Sequence, residues 1–448
     1  MVTVSWVTQN VRDGRFLAVY LRAFPLETSH AVARRVNYAR ATMSARLVCL
    51  LLLFSVEVHA DTTSRLALGD VIALAREHRA EILAAKARVR AAAARPEVVS
   101  ALDDPMILPA IDHLPFMGGG VNWSVVVEQR FPLSGVRGHR QRAAEAEARG
   151  IAADADRVVL DVELEATSAF LMLREERQMT AILAEQSALA RQFVTAATAR
   201  YGAGKGSQAE VLRAEIEVSR LDGEVAAKAA DVRGAEAMLN TSVGRPPDIA
   251  IGELASPSTD APNDEPRTVE AALDHRPELR VGRAEIDRAR AEISVMDDMY
   301  RPMAMIQTGP AYTMTDGAGW MVMVGVSIPL WRGKLRAGVA EATAMTEMAE
   351  QDLVAMRRMV TGDAVVARER VIAARARWLA LRDQVVPRAK AAIDPTLAEY
   401  ATGQLPLVSV LDAAQTLWAA QMDLASAERV LGQARARLSR ATARGGLP

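Results

Sequence analysis

One series of residues occurs twice in this chain, in the same order and at a nearly constant spacing. His78-Arg79-Ala80-Glu81-Ile82 is echoed by His275-Arg276-Pro277-Glu278-Leu279 at an offset of 197. Pro105-Met106, Trp123 and Pro132-Leu133 return as Pro302-Met303, Trp320 and Pro329-Leu330 at the same offset. Tyr201, Gly204 and Val211-Leu212 return as Tyr400, Gly403 and Val410-Leu411 at 199. So many ordered identities at one spacing require a tandem duplication, so whatever one half folds into the other must repeat. The first repeat spans 61–243 and the second 268–443, with a short tail at 444–448. Between them, residues 244–267 are rich in Pro, Asp and Ser and read as a connector, not a regular element.

Each half has the same layout. A helix is expected at about 67–101 and again at 268–299, followed by two strands, at about 105–131 and about 301–330. In "VNWSVVVEQRF" the residues Val121, Trp123, Val125, Val127 and Phe131 share one face; in "WMVMVGVSIPL" Trp320, Val322, Val324, Val326 and Ile328 do the same. This period of two is the mark of a strand. The links "LPFMGGG" and "TDGAG" read as loops. After Pro132 and Pro329, stretches without proline run from about 135 to 200 and from about 334 to 386. Pro387 and Pro395 are expected to kink or break the end of the second. A helix of about 65 residues is about 100 Å long, more than a compact domain of this size contains. Past each Tyr-x-x-Gly turn, heptads return: Val211, Ala214, Val218, Leu221 in one half and Val410, Ala413, Leu417, Ala420 in the other. Alanine-rich a and d positions mean closely packed coiled-coil contacts. Two short helices placed end to end match one long one, which makes each Tyr-x-x-Gly turn, at about 201–207 and about 400–407, the tip of a long helical hairpin.

Half of the 448 residues are apolar but only 4% aromatic, and the net charge is -1. That composition suits long helices and gives no basis for nucleic-acid binding. The single cysteine, Cys49, lies in "MSARLVCLLLLFSVEVHADTT". Arg46, the apolar run 47–56 and Val58-His59-Ala60 form a secretory signal peptide over 43–60, cleaved between Ala60 and Asp61. Residues 1–42 then read as an upstream extension ahead of the true start at Met43. No small-residue lipobox precedes Cys49, so no lipid anchor is expected.

The strands have the length, about 9–11 residues, that crosses a bilayer when tilted. A sheet in a membrane cannot keep open edges, and four strands cannot close a barrel when the smallest have about eight. Several copies of the chain must therefore contribute strands.

With the duplication, the junctions "FPLSGVRGHRQRAAEAEA" and "IPLWRGKLRAGVAEATA", the tips "YGAGKGSQAEVL" and "YATGQLPLVSVL", and the opening "LGDVIALAREHRAEI" with its echo "TVEAALDHRPEL", the chain resembles the TolC family of outer-membrane efflux channels over essentially all of 66–443. The resemblance implies a mainly α fold with a small membrane β part. Three copies would form a 12-stranded barrel in the outer membrane and a 12-helix periplasmic tunnel. It implies a passive duct with no cofactor and no catalysis. Its partners would be a periplasmic adaptor, an inner-membrane RND-type pump and outer-membrane lipid. By the same resemblance, Tyr400 and Glu210 are tip-gating residues, and Asp412 is a pore-constricting carboxylate with Ser409 where a second would stand. Leu405 occupies the place of a bonding arginine. Adaptor contact is expected at Tyr201, Gly204, Lys205, Gly206, Gly403, Gln404 and Leu405.

Heavy-metal cations are the favoured cargo, with drug efflux or type I secretion as alternatives; a periplasmic coiled-coil adaptor is an alternative of another class. Met296, Met299, Met303, Met305, Met314, Met321 and Met323 are soft donors. They are better read as flexible apolar filler on a lipid-facing or interface surface.

Overall fold

The computed structural model describes residues 65–113, 120–255 and 268–443. The expected upstream segment, signal peptide, cleavage residues Ala60 and Asp61, and C-terminal tail lie outside them. All described residues belong to the unit Ser64–Pro448.

The elements run α1 (Leu68–His78), α2 (Ala80–Ser100), β1 (Met106–His113), β2 (Asn122–Pro132), α3 (Val136–Gly202) and α4 (Gln208–Ser242). The second half repeats them as α5 (Thr268–His275), α6 (Pro277–Asp298), β3 (Met303–Thr313), β4 (Gly317–Ser327), α7 (Arg332–Ala380), a π-helical turn (Leu381–Val385), α8 (Val386–Thr402) and α9 (Leu407–Thr442). At 67 residues, α3 is about 100 Å long.

The opening helix of each half is two helices, not the single one expected. Arg79 (φ −67°, ψ 126°) and Arg276 (φ −58°, ψ 124°) are extended and interrupt it. Before Pro277 this is the ordinary restriction on a residue preceding proline. Arg79 precedes Ala80, and side-chain contacts hold the break there instead. Its guanidinium bonds Glu165 at 2.8 Å, Glu81 at 2.9 Å and the Thr241 carbonyl at 3.2 Å. Arg276 makes the equivalent set with Asp363 at 3.6 Å, Glu278 at 3.0 Å and the Ala441 carbonyl at 3.4 Å. In both halves one arginine thus ties the break to the facing long helix and to the last carbonyls of the returning one, groups that have no partner inside their own helix.

The long helices are flanked as the heptads require: α1, α2 and α4 pack on α3, and α5, α6 and α9 on α7. Ion pairs Arg149–Asp287, Arg280–Asp156 and Arg429–Glu175, at 3.0, 2.7 and 2.5 Å, join α3 to α6 and α9. Pro387 and Pro395 do not end the second long helix. The π turn directly precedes Pro387, and α8 continues through Pro395. A wider turn accommodates the carbonyl that the proline ring would otherwise strike.

The four strands form one antiparallel sheet in the order β1-β2-β3-β4, so β1 and β4 are its edges. β4 begins at Gly317, earlier than its hydrophobic alternation suggests, and Gly317 (φ 78°) closes a three-residue hairpin link, 314–316. Only the first residues of the expected "TDGAG" loop are therefore loop.

Candidate functional site

The sheet sorts its side chains by parity. Ile107, Ile111, Trp123, Val125, Val127, Trp320, Val322, Val324, Val326 and Ile328 are all large, apolar and exposed. The pairings Ile107↔Val127, Ile111↔Trp123 and Ile306↔Val324 place them on one face. The opposite face carries Glu128, buried and bonded to Arg130 at 2.8 Å and Gln307 at 2.7 Å. The cross-strand row Met106↔Glu128↔Gln307↔Met323 runs through it. Met303, Met305 and Met321 share the Glu128 parity. Those methionines are therefore not on the apolar outer face where a lipid-facing role would put them. Of the remainder, Met296 lies in α6 against Gly338, Met299 follows that helix, and Met314 stands in the β3–β4 link next to Gly120. Among the described residues no helix is long and apolar enough to cross a membrane, and no group of three or more His, Cys, Asp or Glu could hold a metal ion.

About 100 Å from the strands along α3, the two tips close with the same backbone bonds. Gly204 and Gly403 are left-handed, at φ 69° and 86°. Gly204 N–H donates to the Tyr201 carbonyl at 2.9 Å and Gly403 N–H to that of Tyr400 at 3.0 Å. Lys205 N–H reaches the Arg200 carbonyl and Gln404 N–H that of Glu399, each at 2.9 Å. These paired bonds are the Schellman ending, which places its left-handed residue where only glycine is free of a Cβ penalty. On the far side of the turn the copies differ. Ser207 caps α4 by accepting from Glu210 N–H at 3.3 Å, whereas Pro406 precedes α9 with no side-chain cap.

The side chains differ more. Tyr400 is fully buried, with its hydroxyl 3.4 Å from Glu210 Oε2. Tyr201, its twin, is half exposed. Arg200 crosses from the first hairpin to the second. Its guanidinium lies 4.6 Å from the Tyr400 ring centre, one Nη donates to the Tyr400 carbonyl, and the other to the Lys205 carbonyl at 3.0 Å. Burial, and then the Glu210 carboxylate, push the Tyr400 phenol above its ordinary range. Tyr400, Leu407, Val410 and Trp418 share a core with Leu183, Phe193 and Leu221, so the two hairpins are packed together at their ends.

Glu210 and Tyr400 are thus brought together within one chain. Gly206 sits tightly: a Cβ at that position would lie only 3.2 Å from the Arg200 Cβ and 3.3 Å from Glu210. Gly204, Lys205, Gly403 and Gln404 are exposed at the turns and Leu405 is half-buried. Ser409 is half-buried and Asp412 exposed on the first turns of α9, apart from the Tyr400–Glu210 contact. Sequence reasoning missed Arg200, whose only local signal is a basic residue in the last turn of α3.

A sheet with an apolar exposed face, open edges and two long duplicated hairpins is the arrangement expected of a membrane channel protein. Residues 268–444 match the family model described as "Outer membrane efflux protein". The chain is 26% identical over 299 residues to the cobalt-zinc-cadmium resistance protein CzcC of Cupriavidus metallidurans, covering 65% of this chain and 69% of that one. It is 27% identical over 288 residues to the outer membrane efflux protein BepC of Brucella suis, covering 62% of each. The solved outer-membrane channel OprN has the same fold, with a TM-score of 0.73 over 84% of this chain and 90% of that one at 17% identity. The second repeat thus matches the outer membrane efflux protein model, and the chain as a whole is similar in sequence and fold to outer-membrane efflux channels.

Proposed function

We propose that three copies of the chain form the outer-membrane duct of a tripartite efflux assembly, with heavy-metal cations as cargo. The observation that carries the reading is the open-edged sheet, apolar and exposed along Trp320, Val322, Val324 and Val326 on β4. In a bilayer its β1 and β4 edges must be paired, and three copies supply 12 strands, enough for a closed barrel. The helical hairpins then extend into the periplasm. There the exposed turns at Gly204, Lys205, Gly403 and Gln404 meet an adaptor that links the duct to an RND-type pump. Three Asp412 carboxylates around the axis, with Ser409 beside them, give the entrance a negative potential that favours cations. Tyr400 and Glu210 hold the tip in one state of the entrance. The name of CzcC supports cobalt, zinc and cadmium as cargo. The family consists of channels and not enzymes, so the duct is passive and the pump supplies the energy.

The first test is reconstitution of the purified protein in a planar bilayer, with its mass taken by native mass spectrometry. Expected are a trimer and discrete conductance steps, with cation preference lowered by Asp412→Ala. A monomer that stays in solution without detergent overturns the reading. A deletion strain assigns the cargo: lost tolerance to the three metals supports metal efflux, and lost drug tolerance with unchanged metal tolerance reverses it.

A further inference from the structure

Where the strands give way to the long helices, the chain forms an open-sided cavity of about 350 Å³, within the range of small-molecule sites. Four cations line it, Arg137, Arg140, Arg301 and Lys334, against two carboxylates, Asp103 and Asp298, together with the ring of Trp331. The N-terminal ends of both long helices open onto it, through Val136 and Arg137 of α3 and through Trp331 and Lys334 at the start of α7. Neither helix carries an acidic residue in its first turn or a side-chain hydrogen bond from its N-cap. Two positive helix ends therefore converge with four basic side chains, and each favours an anion. Arg137 is tied to the Ser100 carbonyl at 2.6 Å and Arg301 lies 3.4 Å from Asp298 Oδ1. Arg140 and Lys334 make no ion pair among the described residues.

Asp298 adds a second demand. It is only 7% exposed, and its Oδ2, 3.4 Å from His139 Nε2, accepts no hydrogen bond. A carboxylate oxygen this deep is costly without a donor. The cavity thus offers cations for an anion and, within the same wall, an acceptor for a cation. Its rim continues the apolar face of β4: Ile328, Leu330 and Trp331 are 70, 76 and 81% exposed. A tryptophan at such an edge suits the membrane–water interface, where its ring is half in hydrocarbon.

We propose that this cavity holds the headgroup of a membrane phospholipid with a primary amine, a phosphoethanolamine lipid. The phosphodiester sits between Arg140, Lys334 and the two helix ends. The ammonium donates to Asp298 Oδ2, and the acyl chains run up the apolar face past Leu330 and Trp331. The proposal rests on the reading that this face lies in the membrane.

The test is native mass spectrometry of the delipidated, detergent-solubilised protein, titrated separately with phosphatidylethanolamine, phosphatidylcholine, phosphatidylglycerol and inorganic phosphate. Phosphatidylethanolamine is expected to bind at least tenfold more tightly than phosphatidylcholine, whose quaternary amine cannot donate. The double variant Arg140→Glu/Lys334→Glu is expected to weaken every phospholipid at least tenfold. Asp298→Asn should lower phosphatidylethanolamine to the phosphatidylcholine level. Equal binding of phosphatidylglycerol and phosphatidylethanolamine, or displacement of the lipid by millimolar inorganic phosphate, overturns the proposal. Conductance separates the two readings. A wild-type protein that inserts and conducts but retains no lipid leaves the channel standing and removes the site. One that never inserts removes the channel reading itself.

Discussion

The two hairpin tips share a backbone and differ in chemistry. Gly204 and Gly403 adopt the same left-handed conformation and close the same pair of hydrogen bonds. Yet Tyr201 is half exposed where Tyr400 is sealed. The residue before each tyrosine is Arg200 in one copy and Glu399 in the other. Arg200 reaches out of its own hairpin to stack on Tyr400 and bond its carbonyl, whereas the Glu399 side chain is exposed. A duplicated turn keeps what the backbone needs, a glycine at positive φ. Its side chains are free to diverge, and here they turn one copy into the socket and the other into the plug.

The sharpest test of that asymmetry is Arg200→Ala. It removes a desolvated cation–π contact of about 0.5–2 kcal/mol. It also removes the charge-assisted hydrogen bond to the Tyr400 carbonyl, at about 1.5–3 kcal/mol, although that carbonyl keeps the Gly403 N–H. A local loss of about 2–4 kcal/mol is expected in hydrogen exchange of the second tip. Glu399→Ala should stay within about 0.5 kcal/mol; equal effects would break the comparison. Next come the glycines. Gly204→Ala and Gly403→Ala should each cost about 1–2 kcal/mol by the same measurement, because the left-handed backbone is alike at both. Unequal costs would mean that the turns differ more than their dihedral angles do. Tyr400→Phe should cost at most about 1 kcal/mol, since its hydrogen bond is long, and Tyr201→Phe nothing measurable. The smallest effect is confined to alkaline pH. With its folded pKa raised above the ordinary value, Tyr400 contributes its stability in full below pH about 10. That contribution is lost as pH rises through the folded pKa. Tyrosinate absorbance should show one late-ionising phenol, and that late step should vanish in Tyr400→Phe and persist in Tyr201→Phe.

Much of this was legible from periodicity alone. The strands announced themselves by alternation, and the tips by a tyrosine and a glycine at matched positions. The methionines carried a readable sign too: Met321 and Met323 have the parity opposite to Trp320 and Val322, which places them with Glu128 and off the apolar face. The break at Arg276 is visible in Pro277, but the break at Arg79 is not. What holds it is an ion pair with Glu165, 86 residues away. The Arg200–Tyr400 contact is hidden for the same reason, since it joins positions 200 apart. Local propensity reports on neighbours along the chain, and these residues are defined by neighbours across it. Pro387 disturbs the helix without breaking it, because a helix has a third option between continuing and breaking: it can widen for one turn.

That wide turn also reconciles two spacings of the repeat. The repeat spacing is 197 at Pro132 and Pro329 and 199 at Tyr201 and Tyr400. The two staple arginines fix an intermediate point, because Glu165 and Asp363 do the same work at a spacing of 198. The second copy is therefore one residue longer than the first between Asp363 and Tyr400, where the π turn Leu381–Val385 lies. Left in an α-helix, an inserted residue would rotate everything beyond it by about 100°. It would have swung Tyr400 away from Arg200. Looped out as a single π turn, the insertion is absorbed, and the lower helix keeps its phase. The wide turn takes up the extra residue, and the buried tyrosine at the tip keeps the register of its twin.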